Sequence, residues 1–125
     1  MKHPERVEDY LDHIVEAITR ATGYLEDARD FEAFQGDRRS QDAIIRNIEI
    51  IGEAVSQIQS SAPDFISGYP DVPWAKMRGM RNVMIHEYFS VNVRIVWTTV
   101  RDDLPELKQL IEAVLTSRRT GNPEP

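Results

Sequence analysis

Apolar residues recur at every third or fourth position along most of this chain, which is the spacing of one face of an α-helix. One stripe follows Pro4, a residue suited to a first helical turn, and comprises Val7, Tyr10, Leu11, Ile14, Ile18, Ala21 and Leu25. Another begins near Asp37 to Ser40 and comprises Ile44, Ile48, Ile51, Val55 and Ile58. Between them, residues 30–34 predict a short capped turn that ends at Gly36. Ile45 and Ile50 widen the second stripe, so this helix is expected to face two neighbours.

The second half of the chain predicts two further helices. Residues 63–73 contain three prolines and one glycine, which indicates an irregular loop. Pro73-Trp74 then opens a third helix, and Ser90 or Asn92 can cap a fourth. The fourth stripe comprises Val93, Val96, Trp97, Val100, Leu104, Leu107, Ile111 and Val114. Pro105 lies inside it, which predicts a kink, or a restart with Asp102-Asp103 as the new N-cap.

The predicted fold class is all-α, an antiparallel bundle of four main helices plus a short helical turn. A length of 125 residues suits one domain with one core. We expect that domain to span residues 1–117 and to be followed by a flexible polar tail, residues 118–125.

Composition narrows the class of protein. The chain has no cysteine, which excludes disulfides, thiolate metal sites and a thiol nucleophile. No apolar run approaches the roughly 20 residues of a membrane span. Residues 1–5 lack the apolar stretch of a signal peptide. We therefore expect a soluble, cytoplasmic protein with no membrane partner.

Charge is distributed unevenly. The chain has a net charge of −6, which on its own argues against nucleic-acid binding. Residues 73–101, however, carry a net +4 from Lys76, Arg78, Arg81, Arg94 and Arg101 against Glu87. We call residues 73–101 the basic block. A polyanion would be attracted to it, although solvated helices can also carry uneven charge by chance.

The basic block contains the pattern R-x-x-x-x-H-x-Y, formed by Arg81, His86 and Tyr88. A guanidinium can hold two phosphate oxygens in a planar fork. An imidazole can accept or donate a proton near neutral pH. The phenol can form a hydrogen bond near the reaction or be modified covalently. Together these groups can cleave a phosphodiester without a metal, and no cluster of His, Asp and Glu suggests a metal site or another cofactor.

Helix geometry separates two members of this pattern. Five residues along an ideal helix correspond to about 140°, so Arg81 and His86 of one straight helix could not meet over one phosphate. Either the helix unwinds near Ile85, or a second copy of the chain completes the site. A twofold homodimer would also bury the surplus apolar surface.

The run from Pro73 through Leu107 resembles the HEPN superfamily, and most closely its HepT-like branch of small helical toxins. The matching stretches there are Trp74 with Met77, Gly79-Met80-Arg81-Asn82, His86-Glu87-Tyr88-Phe89, Val96-Trp97 and Asp103-Leu104-Pro105-Glu106-Leu107. Two upstream stretches are also similar, Asp9-Tyr10-Leu11-Asp12-His13-Ile14 and Arg46-Asn47-Ile48-Glu49-Ile50-Ile51-Gly52-Glu53-Ala54.

The resemblance implies a dimeric, metal-independent endoribonuclease that cleaves RNA by attack of the 2′-hydroxyl. It implies the toxin of a type II/VII-like toxin–antitoxin module, whose antitoxin is a minimal nucleotidyltransferase. Carried over, Arg81 and His86 would be catalytic and Tyr88 would be adenylylated by the partner. Asn82 would support them by contacting the phosphate or positioning Arg81.

Structural alternatives exist for each of these residues. Arg81 could form an ion pair with Glu49 or Glu53, His86 could cap a helix, and Tyr88 could lie at the edge of the core. Asp9, Asp12, His13 and Glu16 lie on neighbouring turns of the first helix and could in principle chelate a metal, but a solvated helix face is the preferred interpretation. Close helix approach would explain Gly52 and Gly79, and Trp74 and Trp97 are expected in the core and not as base-stacking platforms.

Two other function classes compete with the nuclease. One is a non-catalytic helical adaptor that binds a nucleotidyltransferase or its nucleotide. The other is a dimeric scaffold in which Arg81 and His86 are structural. The complete R-x-x-x-x-H-x-Y pattern favours the nuclease, because an adaptor does not need all three residues together.

Overall fold

The computed structural model describes residues 4–86 and 92–119 of the chain. The helices in these ranges are α1 (Pro4–Glu26), α2 (Phe31–Gln35), α3 (Arg38–Ser61), α4 (Pro63–Ser67), α5 (Trp74–His86), α6 (Val93–Thr98) and α7 (Leu104–Arg119). A π-helical turn, Thr99–Asp103, joins α6 to α7. The described regular structure is entirely helical, which confirms the predicted all-α bundle of four main helices.

Helix α3 lies at the centre of the bundle and packs against both α1 and α5, while α7 packs against α1. The wide apolar surface of α3 therefore does face two long helices, and Ile45 and Ile50 lie half-buried against the core. The buried residues repeat the predicted stripes and include Leu11, Ile14, Ile18, Ile44, Ile48, Ile51, Val55, Ile58, Val96, Leu104 and Ile111. Trp74 and Trp97 also belong to the core, as expected.

Side-chain caps fix where three helices begin. Asp30 accepts a hydrogen bond from the Ala33 N–H at 2.9 Å and starts α2. Asp37 starts α3 by accepting from the N–H of Ser40 at 3.1 Å and from its hydroxyl at 2.6 Å. These hydrogen bonds from Ser40 lower the pKa of Asp37 below its usual value. Asn92, one of the two predicted caps, starts α6 by accepting from two backbone N–H groups.

The predicted irregular loop over residues 63–73 is wrong in its first half, where residues 63–67 form α4. Pro63 sits in the first turn of that helix, where its missing N–H would have had no intrahelical acceptor. Phe65 holds the short helix in place, with its ring 4.9 Å from that of Tyr69 and 6.0 Å from that of Trp74.

Of the two alternatives predicted for Pro105, the restart with Asp102-Asp103 as an N-cap is not what the structure shows. The backbone remains helical from Val93 to Arg119, and the N–H of Leu104 bonds the carbonyl of Thr99, five residues earlier. Because the ring of Pro105 would clash with the carbonyl four residues before it, a widened turn at this point keeps the helix continuous. Asp102 and Asp103 therefore lie inside the helix and do not cap it.

Helix α7 continues two residues past Ser117, where the flexible tail was predicted to begin. Arg118 lies 3.5 Å from Glu8, and Arg119 lies 2.6 Å from Asp12. These ion pairs attach the end of α7 to α1. Residues 120–125 lie outside the described part of the chain.

Among the described residues, no helix is both long enough and apolar enough to cross a membrane.

Candidate functional site

The structure places Arg81, Asn82 and His86 on α5, with His86 as the last residue of that helix. Tyr88 lies outside the described residues. Because α5 is continuous to His86, the structure does not show the alternative in which the helix unwinds at Ile85. Positions 81 and 86 are thus separated by about 140° around one helix axis. Within one copy of the chain, the helix does not bring these two positions to the same side.

Buried aromatic and sulfur-containing side chains anchor the start of α5. Trp74 is 6% exposed, and its indole N–H donates to the carbonyl of Tyr69 at 3.0 Å. Met77, one turn later, is fully buried. This half of α5 packs on α3, so the position of Arg81, one turn beyond Met77, is set by a rigid helix pair.

Two polar contacts tie α5 to its neighbours. The guanidinium of Arg78 donates a hydrogen bond to the side-chain carbonyl of Gln59 on α3. The ammonium of Lys76 lies 3.8 Å from the carboxylate of Asp103 in the π-helical turn. Both contacts are made by residues of the basic block, so part of its charge serves to hold the helices together.

The basic block is less isolated than its sequence suggests. Arg101 donates to Asp102 at 2.9 Å, and this hydrogen bond raises the pKa of Arg101 and lowers that of Asp102. The carboxylate of Asp103 lies 3.8 Å from the ammonium of Lys76. Two carboxylates that follow the block directly in sequence therefore offset two of its cations.

Arg94 differs from these cations. Within the described ranges it has no carboxylate partner, and its guanidinium carbon lies 3.7 Å from the centre of the Phe31 ring. Sequence reasoning missed this pair, because nothing local links residue 31 to residue 94.

The upstream stretch of residues 46–54 lies on α3 and contains a buried polar residue, Asn47, whose hydrogen bond was not predicted from the sequence. Asn47 is 6% exposed, and its amide donates to the carbonyl of Ala43 at 2.8 Å. In the sequence, Asn47 stands out as a polar residue within the apolar stripe of Ile44, Ile48 and Ile51, and that pattern could have indicated it. Glu49 lies 3.8 Å from Arg46, so one of the carboxylates considered for Arg81 contacts another arginine. An ion pair of Arg81 with Glu49 or Glu53 stays a prediction.

Close helix approach does not explain Gly79. A Cβ atom added at Gly79 would meet no atom of the described residues within 4 Å, so that part of the prediction is wrong within this part of the chain. Gly52, in contrast, is buried within α3. Gly79, two residues before Arg81, therefore has space beside it on α5.

Two of the acidic residues considered as chelators on α1 form ion pairs. Asp12 contacts Arg119, Glu16 contacts Arg20 at 2.7 Å, and His13 lies edge-on to Tyr10. In the part of the chain that the structure describes, no three His, Asp or Glu side chains are placed to hold a metal ion. This arrangement matches a solvated helix face.

Comparisons with known proteins agree on one family. The family described as "Ribonuclease HepT-like" matches residues 11–114, a range that runs from α1 to α7 and contains the whole R-x-x-x-x-H-x-Y pattern.

Individual relatives carry similar names. "Probable ribonuclease HepT" of Thermococcus cleftensis is 43% identical over 104 residues, which cover 83% of this chain and 91% of the relative. "Putative RNase TTE0752" of Caldanaerobacter subterraneus is 37% identical, over 88% of this chain and 95% of the relative. "Putative RNase MJ1380" of Methanocaldococcus jannaschii is 35% identical, over 86% and 95%. No solved structure matches the chain.

Proposed function

Since this chain belongs to the HepT-like ribonuclease family, we propose that it is an endoribonuclease whose active site is built from Arg81 and His86 of α5. One observation carries the proposal. The family match spans residues 11–114, and inside it Arg81, His86 and Tyr88 keep the complete pattern whose groups suit phosphodiester chemistry.

The proposed reaction needs two proton transfers and one site of charge stabilisation. His86 takes the proton of the ribose 2′-hydroxyl, whose oxygen attacks the adjacent phosphorus. The bond from phosphorus to the 5′-oxygen breaks, and an imidazolium returns a proton to that oxygen. Arg81 binds the non-bridging oxygens as their charge grows, with support from Asn82. The products are a 2′,3′-cyclic phosphate and a 5′-hydroxyl, and the step draws on no metal.

We propose that the active species is a homodimer. Positions 81 and 86 lie on different sides of one continuous α5, so a second copy offers a way to place an arginine and a histidine over one phosphate. The described residues leave space at Gly79, which lies seven residues before His86 and so on the same side of α5, and another chain could approach there.

We also propose that the protein is the toxin of a toxin–antitoxin module and that a minimal nucleotidyltransferase is its antitoxin. Tyr88 would be the residue that this partner adenylylates. Resemblance to HepT-like toxins and the position of Tyr88, two residues after His86, support this proposal.

Cleavage of a fluorescent single-stranded RNA in the presence of EDTA tests the nuclease. We expect cleavage to persist in EDTA and to end in a 2′,3′-cyclic phosphate, which mass spectrometry identifies. His86→Ala and Arg81→Ala should each reduce the rate by about 100-fold or more, since each removes a proton-transfer or charge-stabilising group.

His13→Ala is the matched control, because His13 is an exposed histidine of α1 that lies outside the proposed site. It should cleave at the wild-type rate. Full activity in His86→Ala or Arg81→Ala, with helical content unchanged, would exclude that residue from catalysis.

A further inference from the structure

An aromatic cluster joins α2 to α6 at the surface of the bundle. The ring of Phe31 lies edge-on to Trp97 at 5.7 Å, and Trp97 in turn packs against Phe34 at 5.5 Å. Phe34 is fully buried and Trp97 is 8% exposed, so both are fixed in the core. Phe31 is half-buried and forms the outer edge of this cluster.

The guanidinium of Arg94 covers that outer edge. Its central carbon lies 3.7 Å from the Phe31 ring centre, which is the separation of two stacked planar groups. Arg94 itself is exposed, so one face of its guanidinium rests on Phe31 while the side chain remains open to solvent. The N-cap of α6, where Asn92 accepts from the Arg94 N–H at 2.9 Å, holds the backbone of Arg94 in place.

Arg94 is also suited to bind something other than a carboxylate. Among the described side chains of the basic block, Lys76 lies beside Asp103, Arg101 is bonded to Asp102 and Arg78 is bonded to Gln59. Arg94 has no such partner within residues 4–86 and 92–119, and it rests on an aromatic ring instead.

From this arrangement we propose that Arg94, whose guanidinium carbon lies over the ring of Phe31, is a stacking platform for one unpaired base of single-stranded RNA. The inference rests on the nuclease proposed above and names a substrate contact outside the R-x-x-x-x-H-x-Y pattern. Unpaired RNA bases stack on aromatic rings and on guanidinium planes, whatever their sequence. The site would therefore select single-stranded RNA without selecting its bases.

Neighbouring charges favour a base over a phosphate at this position. Asp30 and Glu32 flank Phe31 in sequence, and two carboxylates would repel a phosphate placed beside the ring. A neutral base avoids that repulsion. His86 and Arg94 are eight residues apart, so their Cα atoms are separated by at most about 28 Å. One short RNA segment could therefore reach both.

Binding of a short single-stranded RNA tests the platform. The probe carries a fluorescent end label and 2′-O-methyl riboses, which cannot attack the phosphate, and its affinity is measured by fluorescence anisotropy. Arg94→Lys keeps the charge but loses the planar stack, so we expect its Kd to rise about tenfold. The slope of the logarithm of the binding constant against the logarithm of the salt concentration should stay unchanged, because the protein keeps the same number of cationic side chains. Phe31→Leu removes the supporting ring and should weaken binding in the same direction.

Two controls separate stacking from other roles. Arg38→Lys makes the same chemical change at a side chain that is 84% exposed on α3, and it should bind as the wild type does. An abasic strand of equal length keeps the phosphates but offers no base. Wild type and Arg94→Lys should bind this strand equally.

Wild-type affinity in Arg94→Lys would overturn the proposal, as would an equal loss on the abasic strand, which would show a phosphate contact. An RNA-cleaving wild type that fails to bind the probe would also overturn it while leaving the proposed nuclease intact. Absence of both cleavage and binding would instead remove the nuclease and this platform together.

Discussion

If Tyr88 is adenylylated as proposed, its position two residues after His86 would make the phenol a point of control. An adenylyl group on Tyr88 would carry a phosphate into the neighbourhood of the proposed catalytic imidazole. That phosphate would compete with the scissile phosphate for Arg81, and its nucleoside would crowd the site. Covalent modification of one residue could therefore silence the enzyme without unfolding it.

Intact-mass spectrometry after co-expression with the cognate nucleotidyltransferase tests this control. We expect one or more adenylyl units on the wild type, together with loss of RNA cleavage. Tyr88→Phe should gain no mass. The control is Tyr24→Phe, which removes an exposed tyrosine of α1 and should be modified like the wild type. A fully inhibited complex without added mass would contradict modification and indicate inhibition by binding alone.

At the scale of whole elements, side-chain caps determine where the helices begin. The cap of α3 is the carboxylate of Asp37, so its strength depends on pH. Hydrogen bonds from Ser40 lower the pKa of Asp37 in the folded chain below its ordinary value of 3.8. A lowered carboxylate pKa adds stability that is present above the ordinary value and is lost as the pH falls through the folded-state value. The start of α3 should therefore loosen in acid.

Thermal unfolding followed by circular dichroism checks this prediction. Near neutral pH, Asp37→Asn should melt at a lower temperature than the wild type, since asparagine has one side-chain oxygen where the carboxylate uses two, one for the N–H and one for the hydroxyl of Ser40. The difference should shrink as the pH falls below 3.8. Asp42→Asn, one turn further along α3, is the control and should not reproduce this pH dependence. A gap in Tm that stays constant with pH would contradict the role of Asp37.

Features of these elements that depend on neighbouring residues could be predicted from the sequence. The caps Asp30, Asp37 and Asn92 and the buried stripes follow from local patterns that a helix imposes. Helix α4 could not be predicted, because its five residues are held by contacts of Phe65 with Tyr69 and Trp74. Propensity and length alone would leave so short a helix unstable.

The candidate site also has some features that could be predicted from the sequence and some that could not. The pattern of Arg81 and His86 is local and could be found from the sequence, as could the anchoring of α5 by Trp74. The stacking of Arg94 on Phe31 depends on how α2 meets α6, which one sequence does not specify. The ion pair of Lys76 with Asp103 could not be predicted either, because it depends on the path that the continuous helix takes after Asn92.

At the scale of the whole molecule, the proposed homodimer would join Arg81 of one copy to His86 of the other. We expect light scattering to give a particle of twice the 14.4 kDa chain mass. If the site combines Arg81 of one copy with His86 of the other, mixed dimers of Arg81→Ala and His86→Ala contain one intact site. Co-refolding the two inactive variants should then restore about a quarter of wild-type activity.

Each variant refolded alone is the control for that mixture and should stay inactive. A mixture without activity, formed from dimers shown by mass to contain both variants, would contradict a shared site. A 14.4 kDa particle at every concentration would exclude the homodimer itself.

The π-helical turn at Thr99–Asp103 is the point at which this long helix can change in length. A π turn holds one residue more than the α-helical path it replaces. Deleting a single residue there would restore regular α-helix and leave the residues that follow on their present faces. Leu107 and Ile111 would stay in the core, and Arg118 and Arg119 would stay beside Glu8 and Asp12. In an alignment of relatives, a one-residue gap in this segment is therefore expected where the residue at the position of Pro105 is not proline, because the wider turn accommodates that ring.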